Sequence, residues 1–381
     1  MTHSLRPLAA LLLESVSAQR GPLPAGAAEV DIEAVLRAGE LHRVTPAIRR
    51  RVMAADAAPQ GWMEPLDKAR LAQLFRHMQA ASDLKVIRGA FPDSIRWAVA
   101  KGAVLSDLVW PHSDMRAYTD IDVYVHPADF ADALVALEEA GFKLVDRNWP
   151  ELRRQMRSEL ALRGPGGMML DLHWAVVGDA VRRDEARLDL AAMLERTEPR
   201  KLGSGVVVPV FDPTDLVLHV AVHAAHSGSN KLMWLGDIHH AVGALAVDWR
   251  ELDRRVAVSH SIAAVSMTLA RVERVFGTRL PLREHMRRFA SHTPWARLGE
   301  RADRRHPFPG LPGDEALGGR MYSAARRTLA ASTFDAAQEA IEVRRIERRI
   351  RQSGRQENPL DHDVPDHAAR KSYLAEVAAH A

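Results

Sequence analysis

The sequence contains no cysteine, which removes disulfides, thiolate metal sites and cysteine nucleophiles from any account of it. It also lacks a long apolar run, since nothing approaches the ~20 consecutive hydrophobic residues that a membrane-spanning helix needs. The N-terminal Pro7 to Leu13 stretch is short and is cut by Glu14, and Leu5, Leu8, Leu12 and Val16 recur at helical spacing. It reads as an amphipathic helix rather than a signal peptide. Charge of one sign is scarce as well. Lysine and arginine total 52 against 49 aspartate and glutamate, a formal net charge of +3, which suits a nucleotide or phosphate ligand and is too weak for a long nucleic-acid track. No internal repeat is evident. These absences predict a cytoplasmic globular protein without a membrane partner.

What is present is an ordinary globular composition: 381 residues, 47% hydrophobic and 27% charged, enough for two or three domains. Residues 1–85 read as an N-terminal helical region, with helices over 5–17, 31–41, 45–57 and 65–82. Thr45 before Pro46 signals a helix cap, and Leu66, Leu71, Leu74 and Met78 form an approximate apolar stripe. Residues 86–211 alternate strand and helix signals. Pro127 opens a helix that Gly141 closes, 142–145 is a strand, and Gly164-Pro165-Gly166-Gly167 joins two strands as a hairpin. Residues 212–351 are helical again, beginning at the firm start signal Asp212-Pro213-Thr214-Asp215. Residues 352–381 read as a polar linker and a short last helix that docks or frays. The class is α+β.

The chemistry concentrates between Ala98 and Val125. A short apolar strand ends at Lys101-Gly102, and the glycine lets the backbone approach a ligand before a helix begins near Ala103. Then comes Asp120-Ile121-Asp122 on a strand. Alternation puts both carboxylates on one face, with Ile121, Val123 and Val125 on the other. Adjacent carboxylates repel each other, so a cation explains them best, and Mg²⁺ is held by one or two carboxylates together with water and substrate phosphates. Asp171 and His173 share a face of a later strand; if that strand lies beside the first, Asp171 completes a three-carboxylate site.

Lys101-Gly102-Ala103, a helix ending near Trp110-Pro111, Arg116, Asp120-Ile121-Asp122 and Met169-Leu170-Asp171-Leu172-His173-Trp174 resemble the uncharacterised nucleotidyltransferase family of the DNA polymerase β-type superfamily. Leu216 to Ala225 and Leu232-Met233-Trp234-Leu235-Gly236-Asp237-Ile238 resemble that family's two following helices, so that the likeness covers roughly residues 85–245. One departure is Gly102-Ala103, where the wider superfamily has Gly-Ser or Gly-Gly; a serine hydroxyl contact to phosphate is therefore absent. The resemblance implies a nucleotidyltransferase-type mixed sheet with flanking helices, and Asp120, Asp122 and Asp171 as metal carboxylates for Mg²⁺ or Mn²⁺. It further implies an NTP substrate near Lys101, Gly102, Arg116 and His173, and a helical domain in which Lys231 meets phosphate and Trp234 stacks on a base.

Each of these residues also has a plain structural reading. Lys101 is a phosphate contact or a partner for the carboxylates; Arg116 grips triphosphate with its fork of donors or pairs with Asp114 or Asp120. His173 touches a phosphate or is a structural imidazole behind the site, Trp234 stacks or is core, and Asp237 caps or orients His223 or binds the acceptor. His219, His223 and His226 share a helix face, but no glutamate lies between the first two, so the metalloprotease motif is not met. Arg344, Arg345, Arg348, Arg349 and Arg351 form a basic run that reads as a solvated face. The function expected is transfer of an NMP from an NTP to an acceptor hydroxyl, on a small molecule or a protein rather than long nucleic acid. Asp171 is placed to take the hydroxyl proton. The competing classes are a non-catalytic nucleotide- or phosphate-binding scaffold and a transferase that acts on a nucleotide sugar.

Overall fold

Four helices precede the first strand in the computed structural model, which describes residues 7–178, 183, 186–305, 321–326, 328–353, 364 and 366–381. They are α1 (Pro7–Val16), α2 (Ile32–His42), α3 (Thr45–Met53) and α4 (Met63–Ala90). Asp31 caps α2 by accepting from the Ala34 N–H, as short acceptors at that position do. Thr45, expected as a cap, is the first helical residue of α3, and Val44 holds the cap position. The threonine side chain packs against Gly39 instead: its Oγ1 stands 2.7 Å from where a Cβ on that glycine would lie, in the tight contact of α2 with α3.

The stripe expected on α4 is also corrected. Leu66 is buried, but Leu71 and Met78 are 61% and 70% exposed, while Gln73 and Asp83 are buried instead. Burial here follows the need for acceptors. Gln73 accepts from the Tyr118 N–H at 3.3 Å, and Asp83 from the Gly166 and Met168 N–H groups at 2.6 and 3.0 Å. A Cβ on Gly164 would overlap the Asp83 carboxylate, so glycine at this hairpin makes room for an acid on another element.

The core then runs β1 (Trp97–Ala100), α5 (Gly102–Leu108), β2 (Asp120–Val125), α6 (Phe130–Glu139), β3 (Lys143–Leu144), α7 (Trp149–Gln155), β4 (Glu159–Arg163), β5 (Met169–His173), α8 (Leu190–Glu195), β6 (Glu198–Lys201) and β7 (Val207–Val210). The seven strands form one mixed sheet in the order β3-β4-β5-β2-β1-β7-β6, with β2 parallel to β5 and antiparallel to β1. Sequence patterning missed β6, which is polar and contains Pro199. Both traits are tolerated because it pairs only with β7, at the sheet edge.

Eight helices are described beyond the sheet: α9 (Pro213–His226), α10 (Leu232–Ala244), α11 (Trp249–Val258), α12 (Ile262–Phe276), α13 (Glu284–His292), α14 (Pro294–Arg305), α15 (Leu329–Ser353) and α16 (His367–Ala378). Asp212 caps α9 by accepting from the Asp215 N–H, as its sequence signal predicts. The last helix docks. Tyr373 and Val377 are buried, and the Tyr373 hydroxyl donates to the Arg157 carbonyl at 2.7 Å while accepting from Trp174 Nε1 at 3.0 Å. The breakers expected at 307–313 and most of the expected linker lie outside the described residues, as do the side chains of Arg349 and Arg351. One apolar core joins Leu11 of α1, Val123 of β2, Leu218 of α9 and Val377 of α16. Among the described residues no helix is long and apolar enough to cross a membrane.

Candidate active site

Strand register creates the site. Parallel pairing sets Asp122 of β2 beside Asp171 of β5, and Tyr124 beside His173, so alternation carries all four to one sheet face. The neighbours across the ladder are small: Ala100 stands opposite Asp122 and Ala161 opposite Asp171. The carboxylates therefore face a cavity of about 290 Å³ whose walls include Asp120, Asp122, Asp171, Lys101 and Gly102.

The β1–α5 turn closes one side. Gly102 has φ +31°, and a Cβ on it would stand 3.0 Å from the Asp120 carbonyl oxygen, so the turn presses backbone against backbone at the start of β2. Lys101 sits just before it with φ 48° and ψ −137°, a sparsely populated conformation for a residue with a side chain. That geometry sends its Nζ to within 2.5 Å of Asp122 Oδ1. Lys101 is thus a partner of the carboxylates in this structure.

His173 is clamped. Its Nε2 lies 3.3 Å from Asp122 Oδ1 and its Nδ1 3.4 Å from Glu159 Oε2, and its ring stacks on Tyr124 at 4.5 Å between centroids. Burial opposes its charge, but Asp122 and Glu159 outweigh that and raise its pKa. Burial would likewise raise Asp122, yet Lys101 and His173 hold it well below the usual carboxylate range. Asp171 receives no such help. Burial and the charges of Asp122, Glu159 and Asp120 outweigh the attraction of His173 and push it up to about 7.

Among the described residues, Asp122, Asp171 and His173 form a set whose ligand atoms lie within 4.8 Å of one another. Two carboxylates in register, one buried and one half-buried, with surplus negative charge on the second, are the donor chemistry that a hard divalent cation satisfies. Asp120 lines the same cavity but stands outside this set.

The remaining expected residues divide. Arg116 reaches the cavity wall, but its fork is closed on Asp237, with Nε 2.7 Å from Oδ1 and Nη2 2.9 Å from Oδ2. Trp110 Nε1 donates to the same carboxylate at 2.7 Å. Asp237 therefore neither caps nor orients His223: two buried donors already face it. Of the two plain partners expected for Arg116, Asp114 takes Arg50 and Arg70 instead, and Asp120 forms no ion pair with it. Trp234 lines the cavity edge-on to His223, and the Lys231 ammonium lies over its indole ring, 5.0 Å from the ring centre, beside the lining residues rather than among them. His219 is bonded to the Tyr124 hydroxyl at 2.8 Å and kept neutral, its pKa lowered to about 3 chiefly by burial.

Sequence reasoning missed Glu159 and Arg43, which also line the cavity. Glu159 becomes visible only through register, as the residue opposite His173 on β4. Arg43 follows α2, more than fifty residues before the acidic strand, and no local pattern marks it. A model of an uncharacterised nucleotidyltransferase family matches residues 28–277, from just before α2 to the end of α12. No curated protein matches the chain.

Proposed function

The chain belongs to this uncharacterised nucleotidyltransferase family, and on that premise we propose that it transfers an NMP from an NTP to an acceptor hydroxyl, releasing pyrophosphate, with Mg²⁺ or Mn²⁺ present. The observation that carries the reading is the in-register pair of Asp122 and Asp171 beside the Lys101-Gly102 turn. Asp122 and Asp171 would hold the cation, with Asp120 lining the same cavity for a second. When bound, the cation supplies charge neutralisation at phosphate and a more acidic acceptor hydroxyl. Gly102 brings backbone N–H groups to phosphate. Asp171, with a pKa near 7, suits a general base that accepts the hydroxyl proton. Lys101 keeps Asp122 ionised and aimed, His173 does the same from the other side, and Trp234 offers a wall for the base.

A larger cavity of about 630 Å³ meets the first at Arg43 and Tyr118. We place the acceptor there, and its size fits a small molecule or a protein side chain. A passive scaffold predicts Asp171 away from the other acids, whereas it is the direct neighbour of Asp122. A nucleotide-sugar enzyme calls for a roomier pocket beside Trp234 than about 290 Å³. Calorimetry of the four NTPs with Mg²⁺ or Mn²⁺, on the native protein and on Asp122→Asn, tests the reading. Metal-dependent binding of an NTP that the substitution abolishes supports it; tight binding that survives both substitution and chelation points to the scaffold.

A further inference from the structure

Four cations stand in or beside the cavity, and two of them are spent. Lys101 is paired with Asp122 and Arg116 with Asp237. The side chains of Arg43 and Lys231 form no ion pair among the described residues. One hydrogen bond holds these two together: His42 Nδ1 accepts from the Leu232 N–H at 3.1 Å, tying the end of α2 to the start of α10. Arg43 follows the first partner in sequence and Lys231 precedes the second. Lys231 is destabilised as a cation by burial and then by the charge of Arg43. Bringing like charges together costs energy that an anionic ligand would return.

The backbone carries a second cost at the same point. Arg43 ends α2 in the left-handed conformation, φ 54° and ψ 41°, where glycine is the usual residue and a side chain is disfavoured. Its conformation places a cation on the wall shared by both cavities and within electrostatic reach of Asp120. The left-handed turn ends α2, with the Arg43 N–H donating to the Gly39 and Glu40 carbonyls, and keeping a charged residue there rather than glycine puts a cation on the cavity wall.

We propose that Arg43 and Lys231 together hold the terminal phosphates of the NTP, and then the departing pyrophosphate, the role that Arg116 cannot fill with its fork closed on Asp237. This rests on the nucleotidyltransferase reading. In the transfer step the acceptor oxygen bonds to the α-phosphorus, its proton passes to Asp171, and the bond from that phosphorus to the β-phosphate bridging oxygen breaks. The electron pair leaves with pyrophosphate, so negative charge grows on the group that Arg43 and Lys231 would hold.

The test is calorimetry with Mn²⁺ and inorganic pyrophosphate, the four NTPs and the four NMPs, on the full chain and on Arg43→Gln, Lys231→Gln and Arg43→Gly. Each substitution is expected to weaken pyrophosphate and NTP about ten- to a hundredfold and to leave NMP binding unchanged. Arg37→Gln, which removes the same charge from the exposed side of α2, is expected to change neither. Arg43→Gly supplies a readout that a structural role would not give: a melting temperature no lower than that of the native protein, with phosphate affinity lost. NTP binding that survives both glutamine substitutions, or NMP binding that falls equally, overturns this inference alone. Absence of pyrophosphate and NTP binding by the unaltered protein overturns the nucleotidyltransferase reading and this inference with it.

Discussion

Two groups of buried charge share the wall of one cavity and are built on opposite terms. At Asp237 both carboxylate oxygens meet donors, two from Arg116 and one from Trp110, and at Asp114 each oxygen meets an arginine. Around Asp122, the carboxylates of Asp122 and Glu159 draw on one lysine, one histidine and Arg157, while Asp171 beside them accepts no hydrogen bond among the described residues. A satisfied cluster has nothing left to give a ligand. It specifies how α5, the segment carrying Arg116 between α5 and β2, and α10 meet. A cluster with surplus negative charge costs folding energy until a cation arrives, and that is how perturbed carboxylates come to mark functional sites. Neighbouring acids in one sequence thus serve the fold or the chemistry according to how many donors surround them.

The largest expected effect lies on the satisfied side. Asp237→Asn keeps an acceptor for Trp110 Nε1 but leaves the Arg116 guanidinium, 3% exposed, buried beside a neutral amide. Removing one member of such a pair costs about 3–5 kcal/mol, so the urea midpoint should fall steeply, with or without metal. A loss below about 1 kcal/mol would mean that this pair behaves like a surface ion pair and that the division between the two clusters is wrong.

Asp171→Asn should move stability the other way. An unfolded aspartate loses its proton near 3.8 and this one near 7 when folded, so the native state carries the extra proton between those values. The folded protein therefore loses stability as pH rises through that window, a penalty complete above about pH 7 and of order 4 kcal/mol at most. Without metal, the asparagine variant should be more stable than the native protein at pH 8 and equal to it near pH 4. Mn²⁺ should raise the native melting temperature at pH 8 far more than at pH 5, and should leave the variant unmoved. Equal melting curves at pH 8 with metal removed would show that Asp171 carries no surplus charge.

How much of this was legible beforehand depends on the range of the interaction. Local chemistry read well: Asp120 and Asp122 alternate on a strand, Gly164 to Gly167 turn a hairpin, and Asp212 caps a helix, each decided within a few residues. The likeness to a nucleotidyltransferase family added Asp171 and His173, which no local pattern links to Asp122. What could not be read was pairing across the chain. Arg116 offered two neighbours in sequence and chose Asp237, 121 residues away. Arg43 becomes a candidate only once a buried histidine ties it to Leu232. The site is written in strand register and helix contact, neither of which composition or periodicity encodes.

The smallest expected effect concerns α4, where the satisfied kind of burial recurs in milder form. This helix buries Asp83 to serve two backbone N–H groups of the β4–β5 hairpin and leaves Leu71, Phe75 and Met78 at 61%, 61% and 70% exposure along one face. Hydrophobic spacing alone assigned Leu71 and Met78 to the core, and the acceptors outweighed it. If the helix is oriented by Gln73 and Asp83, then Phe75→Lys removes no packing and should change stability by less than about 0.5 kcal/mol, with NTP affinity unaltered. Loss of about 1 kcal/mol or more in a urea titration would mean that Phe75 is covered in the folded protein, and that apolar contact rather than hydrogen bonding to the hairpin sets the face that α4 presents to the sheet.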